Sequence, residues 1–118
     1  MREQSRDIER LRHIVDSIAH IEDFLRGKTI DQMKDDVMCY HAVVYNIMII
    51  GEAANMLTKD FRDNHLRIPW RQIIDMRNVL VHDYIHISKE MLWETITHDI
   101  PELKTHIARY YSECTSGQ

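Results

Sequence analysis

Three glycines, two prolines and two cysteines in 118 residues set the first limits on this chain. With glycine only at positions 27, 51 and 117, neither a phosphate-cradling glycine loop nor a dinucleotide-binding fingerprint can be written. Cys39 and Cys114 are too few and too unpatterned for a disulfide framework or a zinc knuckle. Both read as reduced thiols, with Cys39 in or near the core. Long stretches without glycine or proline favour helix over sheet. No apolar run is expected to be long enough to span a bilayer. The first seven residues include four charged ones (Arg2, Glu3, Arg6, Asp7) with no hydrophobic segment behind them, so no signal peptide and a cytoplasmic location are expected. A net charge of −4 argues against a general nucleic-acid coat, which needs clustered Lys and Arg to neutralise phosphates.

What is present is helical periodicity. At this length the chain is one domain with a modest core. Residues 3–26 place Ile8, Leu11, Val15, Ile18, Ile21 or Glu22, and Leu25 on one stripe. Gly27 terminates that helix, and Thr29 or Asp31 caps the next. A second helix over about 31–59 carries a narrow seam of Val37, Tyr40, Val44, Ile47, Gly51 and Ala54. Gly51 and Ala54 in that seam admit a close neighbour. Val43, Met48, Ile49, Ile50 and Leu57 make its other sides apolar too. Such an excess implies a second burial partner, and another copy of the chain is the economical one.

A short turn of helix is expected around Phe61. Pro69 suits the first position of a helix that buries Trp70, Ile73, Ile74, Leu80 and Val81. The connection Ile85-His86-Ile87 then leads to Ser88, a cap for the last helix. Its stripe is Leu92 or Trp93, Ile96, Ile100, Leu103, Ile107 and Tyr110. Pro101 falls inside this pattern and should kink or restart the helix. The expectation is an all-α antiparallel bundle of about four main helices plus a short one, over residues 1–111, with 112–118 as a frayed tail.

Chemistry concentrates in Met76-Arg77-Asn78-Val79-Leu80-Val81-His82-Asp83-Tyr84. On a helix Asn78 and His82 share a face, so the amide can hold one ring nitrogen and fix the tautomer. Arg77 and His82 are five apart, about 140° round the cylinder, so one straight helix does not aim both at one atom. Either the helix gives out near His82, or two copies of the motif face each other across a dimer. His82 and His86 could share a metal if the helix continued. A third ligand is wanting, however, and no H-E-x-x-H occurs, so no metal or other cofactor is expected. His13, His20, His41, His65, His98 and His106 read as surface or ordinary bundle histidines. Glu52 lies in an otherwise apolar run and needs a partner if buried, for which Arg77 is the candidate. From Lys59 to Arg77 five cations (Lys59, Arg62, Arg67, Arg71, Arg77) face three anions (Asp60, Asp63, Asp75). That stretch is either a solvated face or a small anion-attracting patch beside the motif.

Arginine, four residues, histidine, one residue, tyrosine resembles the motif of the HepT-like branch of the HEPN (higher eukaryotes and prokaryotes nucleotide-binding) superfamily. Ile50-Gly51-Glu52-Ala53-Ala54, Ile68-Pro69-Trp70, Arg77-Asn78, His82-Asp83-Tyr84, Trp93 and Ile100-Pro101-Glu102-Leu103 resemble that family's landmarks, in its order. The resemblance implies a HEPN-like bundle and a metal-independent endoribonuclease toxin, with Arg77 and His82 catalytic. Asn78, Glu52 and Asp83 would support them. It also implies a minimal nucleotidyltransferase antitoxin that attaches AMP to Tyr84. In physical terms, His82 would take the proton of a ribose 2′-hydroxyl while Arg77 stabilises charge at phosphorus, which selects RNA over DNA. A homodimer would set two motifs in one cleft. The rival from another class is a non-catalytic module that docks the nucleotidyltransferase through the same residues.

Overall fold

The computed structural model describes the backbone of residues 2–116 and the side chains of residues 6–116, Tyr84 excepted. It is an all-α bundle without strands among those residues. Its helices are α1 (Arg2–Leu25), α2 (Ile30–Asp35), α3 (Val37–Met56), α4 (Lys59–Asp63), α5 (Trp70–His82), α6 (Lys89–Glu94) and α7 (Ile100–Ser116). A 3₁₀ turn, Tyr84–His86, follows α5, and a widened π turn, Thr95–Asp99, joins α6 to α7.

α1 buries Leu11, Ile14, Ile18 and Ile21, which settles the choice between Ile21 and Glu22 in favour of the isoleucine. Gly27 turns the chain at a positive φ of 74°, where L side chains are strained. Thr29 then caps α2 in a full capping box with Gln32.

The helix anticipated over 31–59 is two. Asp36, extended at φ −98° and ψ 99°, ends α2 and caps α3, accepting a hydrogen bond from the Cys39 N–H at 3.0 Å. A short acidic side chain that can satisfy an orphan amide makes this break inexpensive. Cys39 behind it is buried.

α3 is the central helix, packed on α1 along one side and α5 along another. By length and composition alone it could cross a bilayer, against the expectation that no apolar run is long enough. Its apolarity is instead divided between core and surface. Val43, Ile50 and Leu57, assigned above to a second partner, lie in the core with Ile47 and Ala54, whereas Val37 of the expected seam is exposed. The apolar residues left exposed along the helix include Met38, Tyr45 and Met56. Seven-residue steps put Met38, Tyr45 and Glu52 on one face, and Met56 follows Glu52 by four.

At the end of α3 the buried carboxylate of Asp7 accepts from Thr58, 2.9 Å from its amide and 2.7 Å from its hydroxyl. Thr58 meanwhile caps α4. Pro69 is the residue before α5 rather than its first, and Trp70 Nε1 donates to the His65 carbonyl at 3.0 Å. Val81, expected inside, is exposed in the last turn of α5.

Ser88 caps α6 as anticipated. Leu92, Ile96, Ile100, Leu103, Ile107 and Tyr110 all face the core. Pro101 produces neither a break nor an ordinary kink. The chain widens through 95–99, where the Ile100 N–H reaches back to the Thr95 carbonyl. A proline has no N–H and crowds the carbonyl four residues earlier, and a π turn just ahead relieves both. α7 then stays helical through Ser116, so residues 112–116 of the expected tail are helix, while 117 and 118 lie outside the described residues.

Candidate active site

The motif sits where α5 crosses α3. The crossing is close because Gly51 has no side chain: a Cβ there would stand 2.2 Å from Arg77 Cβ and 3.1 Å from the Ile73 carbonyl oxygen. Arg77 is thereby seated on the backbone of α3, one residue from Glu52. Its Nη2 lies 2.9 Å from Glu52 Oε2, the pairing expected from the sequence. Its Nη1 donates to Asn78 Oδ1 at 2.9 Å.

That second bond corrects one expectation. Asn78 holds the guanidinium beside it rather than the imidazole one turn on. A charged donor outcompetes a neutral ring nitrogen for the same carbonyl oxygen. Arg77 is thus fixed by two acceptors, and its guanidinium is drawn from the α3-facing side of α5 towards the face shared by Asn78 and His82. Both groups of the ion pair keep contact with water, so the pair orients more than it stabilises.

His82 is the last residue of α5 and is exposed. The helix does give out there, as one alternative required, but only after His82. The angular gap from Arg77 therefore persists within the chain. Asp83 closes α5 through its N–H to the Val79 carbonyl at 2.8 Å. Its carboxylate does not serve His82: Oδ1 lies 2.5 Å from Nδ1 of His86. That hydrogen bond, and then the carboxylate's charge, raise the His86 pKa above the usual imidazole value. The sequence pattern offers His86 only as connection or metal ligand, yet its three-residue spacing from Asp83 is a visible cue. Among the described residues no group of three or more His, Cys, Asp or Glu side chains is gathered as metal ligands. The side chain of Tyr84 lies outside the described residues, and the modification expected there stands on the sequence alone.

A guanidinium held in place, an exposed imidazole and an all-α frame define a HEPN-type bundle carrying the Arg-x4-His motif. Residues 14–110 match the ribonuclease HepT-like family, and the chain belongs to that family. It is 37% identical over 94 residues to "Probable ribonuclease HepT" of Thermococcus cleftensis, covering 80% of this chain and 86% of that one. It is 34% identical over 97 residues to "Putative RNase TTE0752" of Caldanaerobacter subterraneus subsp. tengcongensis, covering 82% and 87%. Against "Gamma-glutamylcyclotransferase and putative RNase MJ0434" of Methanocaldococcus jannaschii it is 36% identical over 103 residues. That match takes 87% of this chain but 46% of the longer relative. No solved structure matches the chain at a significant level.

Proposed function

We propose that this chain is a metal-independent endoribonuclease, the toxin of a toxin–antitoxin pair, acting as a cytoplasmic homodimer. The observation that carries the reading is the clamping of Arg77 by Glu52 and Asn78 at the Gly51 crossing, with exposed His82 one turn beyond Asn78. A guanidinium held in advance costs little reorganisation when charge develops on phosphate oxygens.

His82 removes the proton of a ribose 2′-hydroxyl, and the oxygen attacks the adjacent phosphorus. The bond to the 5′-oxygen breaks. That oxygen takes a proton from His82 of the second subunit, leaving a 2′,3′-cyclic phosphate and a 5′-hydroxyl. Pairing of two copies over the exposed face of Met38, Tyr45 and Met56 accounts for that second imidazole. Glu52 lies on the same face, so the pairing carries both Arg77 side chains to one seam. A partner nucleotidyltransferase transfers AMP from ATP to the Tyr84 hydroxyl, with pyrophosphate leaving, and the added phosphate blocks the seam by charge and bulk.

Purified dimer incubated with single-stranded RNA tests the chemistry. Cleavage should vanish with His82→Ala and with Arg77→Ala, and persist in chelator. Unchanged cleavage by His82→Ala ends the mechanism. Mass spectrometry of chain made with and without its partner tests Tyr84: the same mass in both defeats the modification. One observation favours the docking-module rival, namely that Glu52 already neutralises Arg77. Growth arrest on expressing the chain alone, relieved by His82→Ala, decides against that rival.

A further inference from the structure

Where α3 ends, α4 turns and α5 begins, an open cleft of about 610 Å³ lies beside the motif. Its charged lining is Lys59, Arg62 and Arg71 with Asp63 and Asp75. Two of these cations are already engaged one helical turn along. Lys59 Nζ lies 2.6 Å from Asp63 Oδ2, and Arg71 Nε lies 3.9 Å from Asp75 Oδ2. Arg62 is the cation left over. It is half-buried, and its Nε is buried without a hydrogen-bond partner among the described residues. That N–H is out of reach of water and ligand alike, so contact with a phosphate in the cleft would fall to the terminal nitrogens of Arg62, which lines it. Apart from Asn55 the remaining wall is apolar, with Ile74 half-buried and Leu66 76% exposed at the rim. A forked cation beside an apolar wall suits the two halves of a nucleotide, phosphate and base.

The cleft and the motif share their supporting faces. On α5, Arg71, Asp75, Asn78 and His82 follow at steps of four, three and four, one continuous line along the helix. On α3, Asn55 in the cleft follows Glu52 by three. Ile74 and His82 are about 12 Å apart along the α5 axis at 1.5 Å per residue. A strand lying over Asn78 and His82 therefore runs directly into the cleft.

We propose that this cleft is a binding subsite for a nucleotide of the RNA strand flanking the cleaved bond, its phosphate on Arg62 and its base against Leu66 and Ile74. The inference rests on the ribonuclease reading above, but its test is a binding measurement. A free mononucleotide offers the same chemistry, so 5′-AMP forms a separate arm.

Fluorescence anisotropy of a labelled single-stranded RNA is read on the full chain carrying His82→Ala, so the strand stays whole. Adding Arg62→Gln should weaken binding about tenfold and lower the salt slope by about one. Leu66→Ala, at an exposed position that folding does not need, should weaken binding several-fold with the salt slope unchanged. If Arg62→Gln fails to fold by circular dichroism, Leu66→Ala decides alone. Arg26→Gln removes an equal charge at the opposite end of α3 and should bind as the parent. Equal losses from Arg26→Gln and Arg62→Gln, or parental binding by both Arg62→Gln and Leu66→Ala, overturn the inference. So does Arg62-dependent binding of 5′-AMP with RNA affinity indifferent to Arg62, which would make the cleft a free-nucleotide site. If wild-type chain cleaves no RNA while the Arg62 and Leu66 pattern holds, the ribonuclease reading falls and the strand subsite stands. If it cleaves and the pattern is absent, the cleft inference falls alone.

Discussion

Gly51 and Arg77 touch so closely that no other residue fits at position 51 without moving α5: a Cβ would meet Arg77 Cβ at 2.2 Å. The position of the guanidinium is thus set first by backbone packing and only then by Glu52 and Asn78.

Gly51→Ala should therefore destabilise the fold even though alanine is the better helix former by about 1 kcal/mol. The clash is with a Cβ and a backbone carbonyl, neither of which can swing aside. Overpacking of that kind costs about 1–3 kcal/mol and should more than cancel the propensity gain. Thermal unfolding reads the loss. A midpoint at or above that of the parent would mean that the two helices separate freely.

Glu52→Ala should separate stability from activity. The ion pair is partly exposed, so its removal should cost about 1 kcal/mol or less. Freed from one of its two acceptors, Arg77 loses orientation, and RNA cleavage should fall by well over the change in stability. Equal cleavage by Glu52→Ala and parent would show that Asn78 alone positions the guanidinium.

His86 should titrate above an unperturbed imidazole in the folded chain, owing to its hydrogen bond with Asp83 and then to the carboxylate's charge. A raised folded pKa means that this contact stabilises fully below the unfolded value near 6.5 and is lost as pH rises through the folded one. NMR titration of the ring protons checks it. Asp83→Asn should return His86 towards its ordinary value, and no change would remove the pairing.

Asp99 should behave in the opposite sense from most carboxylates. Desolvation first, then Glu102 and Glu94, raise its pKa above 3.8. Between 3.8 and the folded value the native state holds more protons than the unfolded chain. Its contribution is thus favourable at low pH and lost as pH rises. Asp99→Asn should stabilise the fold at pH 7 and so raise its unfolding midpoint, the gain staying below about 0.5 kcal/mol because the side chain still meets solvent. The gain should fade towards pH 4. A lower midpoint at pH 7 would contradict it.

The stripes of α1 and of the last helix were readable from periodicity because each has a single buried face. α3 was harder: apolar all round, it gave no phase by which to separate core residues such as Val43 and Ile50 from surface ones such as Tyr45. The break at Asp36 was hidden by the same apolarity continuing on its far side. At the motif, spacing identified Glu52 as the partner of Arg77. It misplaced Asn78, because helix geometry permits its bond to His82 and cannot rank it against an adjacent guanidinium. The cleft around Arg62 draws on three helices and the loop between them, and no local pattern announces such a convergence.

The widened turn at Thr95–Asp99 makes one part of the chain forgiving of length. A π turn holds one residue more than the regular helix could use, so removing a single residue there, together with Pro101→Ala to lift the crowding that the turn relieves, would leave an ordinary α-helical turn. The same deletion in α3 would rotate every later side chain of that helix, Glu52 included, by about 100°. Evolution or a protein engineer can shorten this molecule by one residue at that place and leave the seat of Arg77 in register.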